Sequence, residues 1–158
     1  MKDPNLTHLT ERGEAHMVDV GEKDESRRYA RARAIVKMAR TTIDRVRSGD
    51  TPKGDVFATV RIAAIQAAKR TPDLIPLCHA IALTHVRVDV EVTILGIEIL
   101  VTTEAHDRTG VEMEAMTGAS IGALALYDML KAIDRSITFE VALLEKSGGK
   151  SGAYEREK

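Results

Sequence analysis

The sequence predicts an α+β sandwich, an antiparallel sheet with helices packed on one face. Three observations carry this. "HVRVDVEV" alternates strictly, with Val86, Val88, Val90 and Val92 on one face and His85, Arg87, Asp89 and Glu91 on the other, the pattern of a half-buried strand. After the turn "TILG", "IEILVTTEA" returns as a second strand, so the two form an antiparallel hairpin. Helical segments flank this hairpin without the strict strand–helix alternation of a parallel sheet.

The elements follow in order. Residues 1–23 are polar apart from "HMVDV". From Asp24 to Ser48, Ile35, Met38, Ile43 and Val46 recur at helical spacing, Arg and Lys fill the other faces, and Gly49 follows as a stop, which predicts a first helix. "GDTPKGD" reads as a loop. Asp55 is a good N-cap for a second helix through "VFATVRIAAIQAAKR", which Pro72 should end. Thr109 and Glu112 have capping-box spacing, opening a long third helix from about Gly110 to Ile133. "SITFEVALLE" is a third strand, and the tail "KSGGKSGAYEREK" is glycine-rich and basic, then charged. Gly118, Ala119, Gly122 and Ala123 let another backbone approach the third helix closely, from within the chain or from a second copy.

Composition bounds the rest. The 158 residues suit a single domain over 1–158, with ends 1–23 and 147–158 flexible and joining the active site when ordered. A chain of this length buries roughly two thirds of the surface its unfolded form exposes. One cysteine cannot form an internal disulfide and suits a reducing compartment. No apolar run approaches the roughly 18 residues of a membrane span, and the N-terminus has no signal-peptide core, so a soluble cytoplasmic protein is expected. A net charge of −1 gives no global attraction to nucleic acid. Charged residues make up 30%, Asn5 and Gln66 are the only side-chain amides, and Trp is absent, a balance heat-adapted proteins tend to show.

Several segments carry chemistry. "DLIPLCHAI" holds the single cysteine, Cys78, beside His79. Neighbours on an extended chain point to opposite faces, and zinc needs about four ligands, usually in spaced pairs, so no metal is expected. A thiolate needs cationic surroundings, and these are apolar, so Cys78 reads as a buried, inert thiol. His79 is either a structural or a functional histidine. "KSGGKSG" lacks the first P-loop glycine, since Leu144 stands there; it is a solvated tail or a basic flap, with Lys146 and Lys150 on glycine hinges. Asp128 and Lys131, three apart on a helix, are a surface ion pair or an acid–base carboxylate beside a phosphate-holding ammonium. Glu114 and Asp128 return to nearly the same helical face but lie about 21 Å apart, so one nucleotide-sized ligand meets both only across two subunits. "RRYARARAIVKMAR" is basic but has no aromatic stacking platform for nucleic acid. From spacing alone, Lys53, Arg61, Lys69 and Arg70 read as a solvated face.

Four of these segments occur together and in order: "LTHLTERGEAHMVDV", "KGDVFATVRIAAIQAAKRTPDLIPLCH", "TGVEMEAMTGASIGALALYDMLKAI" and "LLEKSGGKSG". The chain closely resembles the molybdenum-cofactor biosynthesis protein C (MoaC) family over nearly its whole length. The resemblance implies a ferredoxin-like sandwich and a homohexamer, a trimer of dimers with its active site at the dimer interface. It implies a lyase, cyclic pyranopterin monophosphate synthase. The substrate would be a cyclic dihydroguanosine triphosphate made from GTP by a preceding radical enzyme. The ribose and purine-derived carbons are rebuilt into a pyranopterin, a cyclic phosphate forms and pyrophosphate leaves.

By motif match, Asp128, Lys131 and Lys53 would be catalytic. Leu77, Cys78, His79, Met113 and Glu114 would hold the substrate, and Arg28, Lys69 and Lys146 would meet the triphosphate. On this reading His79 is functional. The chain departs from the family pattern in having Ala80 where proline usually follows "LCH", and Arg108 where a lysine usually precedes "TGVEMEA".

The implied chemistry sets physical demands. Proton movement falls to Asp128, Lys53 and Lys131, and a crowd of cations would lower a lysine's pKa. Pyrophosphate departure needs positive charge on the leaving oxygens. No flavin, nicotinamide or haem signature is present, so no cofactor is expected, and whether Mg²⁺ accompanies the triphosphate is left open by the sequence. A non-catalytic oligomeric nucleotide-binding module is the alternative, though such a binder gains nothing from a carboxylate at position 128. No nucleic-acid or membrane partner is expected.

Overall fold

Long and small side chains alternate from Tyr29 to Val36, and that alternation decides the first element. In the computed structural model, which describes residues 8–10, 12–150 and 152–157, this stretch is a strand. The order is β1 (Ser26–Lys37), α1 (Arg40–Ser48), α2 (Val56–Ala68), α3 (Thr71–Leu74), β2 (Leu83–Val92), β3 (Gly96–Asp107), α4 (Glu112–Leu130), β4 (Thr138–Ser147) and β5 (Tyr154–Glu155). The helix expected over 24–48 is therefore β1 followed by α1. Ala30, Ala32, Ala34 and Val36 are fully buried, while the residues between them face outward. Alanine and arginine favour helices, but β1 is the centre of the sheet, with a partner on each edge. Pairing there overrides local propensity.

The sheet order is β2-β3-β1-β4-β5, with every neighbouring pair antiparallel. β1 and β2 thus run parallel with β3 between them, and β3 and β4 run parallel with β1 between them. These are two split β-α-β units, the ferredoxin-like arrangement. The hairpin pairs Val88 with Val101 and Val90 with Ile99, in the alternation expected. α2 and α4 pack together over one face of the sheet, around Val60, Ala64, Ala119, Ala123, Leu126 and Ile99.

The small residues of α4 serve this packing. A Cβ on Gly118 would lie 3.0 Å from Val101 Cγ1 and 3.1 Å from the Ala64 carbonyl oxygen, and one on Gly122 would lie 3.3 Å from Ala64 Cβ. On the opposite face of the sheet, Arg27, Arg31 and Arg33 meet Glu104, Glu145 and Glu98 at 2.7, 3.6 and 3.7 Å. That face carries alternating charge, not a basic stripe. Among the described residues no helix is long and apolar enough to cross a membrane.

Helix ends differ from expectation in three places. Asp55 caps α2 as read, accepting from Ala58 N at 2.9 Å, but α2 stops at Ala68 and Pro72 opens the short α3. No capping box forms at α4: Val111 is the N-cap without a side-chain bond, and Glu112 pairs with Lys146 at 3.0 Å instead. α4 also ends earlier than expected, at Leu130.

α1 is capped by a distant residue. Buried Asp134 accepts from Ala39 N, Thr42 Oγ1, Ser136 N and Ser136 Oγ at 3.0, 2.9, 2.9 and 2.6 Å. Burial works to raise this carboxyl, but the bonds from Ser136, Ala39 and Thr42 outweigh it and hold it near 2. Its stabilisation is present above the ordinary carboxylate range and is lost as pH falls through about 2. Asp134→Ala leaves buried donors unpaired and is expected to destabilise the fold by about 2–4 kcal/mol, measured by denaturant unfolding at pH 7. A loss below about 0.5 kcal/mol would contradict the capping role.

Candidate active site

The first turn of α4, the segment after α3 and residues 8–23 converge on a cavity of about 390 Å³. Leu77, Cys78, His79, Met113 and Glu114 all line it, so five residues from two distant motifs do meet. His8, Val18, Val20, Lys23, Thr109 and Gly110 complete much of the wall. Of the two chain ends expected to join a site, residues 1–7, 11, 151 and 158 lie outside the described residues.

Glu114 is 2% exposed, and its Oε2 has no hydrogen-bond partner among the described residues. Burial pushes the carboxyl up to about 7; the bond from its own backbone N–H opposes this, and the carboxylates of Glu112 and Asp107 add to it. Near neutral pH the group therefore holds its proton about half the time. That is the range in which a carboxyl both gives and takes protons efficiently.

Cys78 is half-buried rather than buried. Burial, then Glu114, raises its thiol pKa, so the thiolate is disfavoured, the opposite of what a nucleophile needs. Cys78→Ser is expected to retain most activity, and a near-complete loss in a folded variant would restore the nucleophile.

His79 Nε2 lies 2.7 Å from the Val18 carbonyl oxygen. A carbonyl only accepts, so Nε2 carries the proton and a neutral ring keeps its lone pair on Nδ1. The same bond ties residues 16–20 to the cavity.

A second cavity of about 580 Å³ adjoins the first and shares Lys23, Thr109, Gly110 and Glu112 with it. Arg28, Arg108, Gly149 and Lys150 line it as well, with Asp24 and Ser26. Four cations against two carboxylates make it suited to a polyanion. Arg28 is 7% exposed and donates from Nε to the Asp107 carbonyl oxygen at 2.9 Å, which fixes its guanidinium. Lys146 reaches this region through its pair with Glu112. Arg108, at the position where the chain departs from the resemblance, faces this cavity with a forked cation in place of a point charge.

The expected catalytic trio is assembled, but elsewhere. Asp128 sits between two ammonium groups, with Lys53 Nζ 2.6 Å from Oδ2 and Lys131 Nζ 2.7 Å from Oδ1. Lys131, then Lys53, holds the Asp128 carboxyl down near 2. Asp128 in turn raises the Lys131 pKa. This corrects the expectation of a lysine lowered by like charge: the nearest charge to Lys131 is negative. The trio is half-exposed and lies at the far end of α4 from Glu114, about 21 Å along the helix. Lys69 joins neither group; it stands exposed at the C-cap of α2 and lines neither cavity.

Thr109, Gly110, Glu112 and Lys23 line the cavities but were not among the expected site residues. Thr109 and Gly110 had a signal, since they directly precede a helix N-terminus, where unpaired N–H groups face outward. Lys23 had none. Among the described residues, no group of three or more His, Cys, Asp or Glu side chains could hold a metal ion.

The family model described as the MoaC family matches residues 17–149. The chain belongs to the MoaC family. The matched span contains every expected site residue from Arg28 to Lys146. Three relatives agree with it. A protein of Roseiflexus sp. (strain RS-1) is 54% identical over 153 residues, 95% of this chain and 97% of its own length. Proteins of Roseiflexus castenholzii and Thermomicrobium roseum are each 54% identical, over 151 and 157 residues, covering 94% and 96% of this chain and 96% and 93% of their own lengths. All three are named cyclic pyranopterin monophosphate synthase. MoaC membership and the ferredoxin-like sheet thus agree with both expectations drawn from the motifs.

Proposed function

We propose that this chain is a cyclic pyranopterin monophosphate synthase, a lyase of molybdenum cofactor biosynthesis. It would act in the cytoplasm on the cyclic dihydroguanosine triphosphate delivered by the radical enzyme that cyclises GTP. The observation that carries this reading is 54% identity, over nearly the full length of both chains, to relatives bearing that name.

The geometry supports it. The smaller cavity offers a ring-sized space with a half-protonated carboxyl and a histidine of fixed tautomer. The adjoining cationic cavity suits the phosphates. In the final displacement a substrate hydroxyl oxygen attacks the α-phosphorus, the bond from that phosphorus to the outer bridging oxygen breaks, and pyrophosphate leaves. The hydroxyl proton passes to a base. Arg28, Lys23 and Lys150 offset the charge that grows on the departing oxygens. In this reading the reaction needs no resident cofactor, and any Mg²⁺ arrives with the triphosphate.

The two half-sites at opposite ends of α4 fit a shared active site. The Glu114 end of one copy would complete the Asp128 end of another, within a hexamer built as a trimer of dimers. Lys53, Asp128 and Lys131 would then face the ring being opened and re-closed, with the lysines moving protons and Asp128 holding them in place against their mutual repulsion.

The decisive experiment incubates the purified protein with the cyclic dihydroguanosine triphosphate. Cyclic pyranopterin monophosphate and an equal amount of pyrophosphate are expected. Substrate recovered intact, with no pyrophosphate, would overturn the reading.

A further inference from the structure

The chain does not stop at the loop that borders the cationic cavity. After Ser147 it turns at Gly148 and Gly149, with φ of 96° and 79°, and comes back as β5 along the edge of β4. A Cβ on Gly149 would lie 1.7 Å from Arg28 Nη1, and one on Gly148 would lie 2.2 Å from the Arg27 carbonyl oxygen. The loop backbone therefore lies directly on the start of β1, with Gly149 and Lys150 in the cavity wall.

Among the described residues, few contacts hold it there. None of residues 152–157 is buried, although Tyr154, 40% exposed, is partly covered. β5 is two residues long and pairs only Tyr154 and Glu155 with Lys146 and Glu145. A strand this short is marginal without further contacts. Arg156 supplies them: its backbone N–H donates to the Leu144 carbonyl oxygen at 2.7 Å, and its side-chain Nε donates to the Leu143 carbonyl oxygen at 2.8 Å. These bonds carry the pairing beyond β5 and close the hairpin whose tip is the cavity loop.

We infer that Arg156 is a positioning residue for the cationic cavity: by fastening the returning strand to β4, it holds the 148–150 loop against Arg28 and so sets affinity for phosphate oxyanions. Arg156 acts through the loop and need not touch the ligand. The inference deepens the proposed function and rests on it only for the identity of the substrate.

The test uses the full chain and inorganic pyrophosphate as probe, by titration calorimetry, with KM and kcat measured alongside. Arg156→Ala removes one bond and one charge; pyrophosphate binding should weaken, and KM rise, by about 3- to 10-fold, with kcat and Tm little changed. Arg156→Pro makes the same charge change but also removes the backbone donor, so its loss should be several-fold greater. Arg156→Lys, which can still reach a carbonyl, should recover part of the affinity.

Equal losses in the Ala and Pro variants would mean that the guanidinium meets the anion itself, and would overturn the inference. So would unchanged affinity in both, or a fall in Tm and kcat at constant KM. If the wild-type chain makes no pyranopterin, the proposed function fails, while the pyrophosphate series still decides the role of Arg156.

Discussion

Asp128→Asn is expected to lower turnover by about 10²–10⁴ while leaving substrate affinity largely intact. With its pKa near 2, the carboxylate is ionised throughout the neutral range and is a weak base there. Its consequence lies in what it holds. Lys53 and Lys131 bind opposite oxygens of one carboxylate, at 2.6 and 2.7 Å, so Asp128 fixes the spacing of two ammonium groups that would otherwise repel. Asparagine has nearly the same shape, but it carries no charge and presents only one accepting atom. One lysine loses its partner and both lose the opposite charge, so the proton donors move and Lys131 loses the carboxylate that raises its pKa. Affinity should survive, because removing a negative charge near a polyanion does not weaken its binding. Lys131→Ala differs in kind: it removes a cation, so both affinity and rate should drop. Measuring kcat and substrate Kd on the two variants separates these roles. A near-wild-type rate for Asp128→Asn would make the trio an ordinary surface ion-pair cluster.

How much of this was legible in the sequence depended on whether the controlling contact was local. The β2–β3 hairpin was, because valine and charge alternate in eight consecutive residues and burial of one face follows directly. β1 was not. The period-2 signal there was present, but it was written in alanine and arginine, whose preference is helical, and its meaning depended on β3 and β4 lying on both edges. The α4 capping box failed for a similar reason: Glu112 has a partner 34 residues downstream, Lys146, which no local pattern announces.

The site divides along the same line. Asp128 and Lys131 are readable from a spacing of three on one helix. Lys53 reaches them from a loop 75 residues away, and only the resemblance indicated it. That resemblance also supplied Lys69, which the single chain keeps apart from both clusters. The cationic cavity was partly visible as a basic, glycine-hinged tail, but its lining by Lys23 and Arg108 comes from tertiary packing.

Glu114→Gln is expected to stabilise the protein at pH 8, hardly at all at pH 4, and to abolish most activity at either pH. The asymmetry follows from where the proton sits. In the unfolded chain the carboxyl ionises at its ordinary value of 4.5, and in the fold it does so at about 7. Below the lower value both states hold the proton and the group exerts no pH-linked penalty. Between the two, the unfolded chain sheds its proton while the folded one keeps it, so stability declines as pH rises. Above the upper value the penalty is complete, roughly 3 kcal/mol. Glutamine never ionises and so avoids it, and several degrees of Tm should be gained at pH 8. A buried carboxyl that weakens its own fold, leaves Oε2 without a partner among the described residues and belongs to a residue of the cavity wall has a reason to persist only if the ligand uses it. A ring N–H would find an acceptor there, and a ring carbonyl a donor, according to protonation. The wild-type activity profile should accordingly carry a limb near pH 7, and that limb should be missing from the residual activity of the glutamine variant. An equal Tm gain at pH 4 and pH 8 would show that burial does not hold the proton on Glu114, and the acid–base role would fall with it.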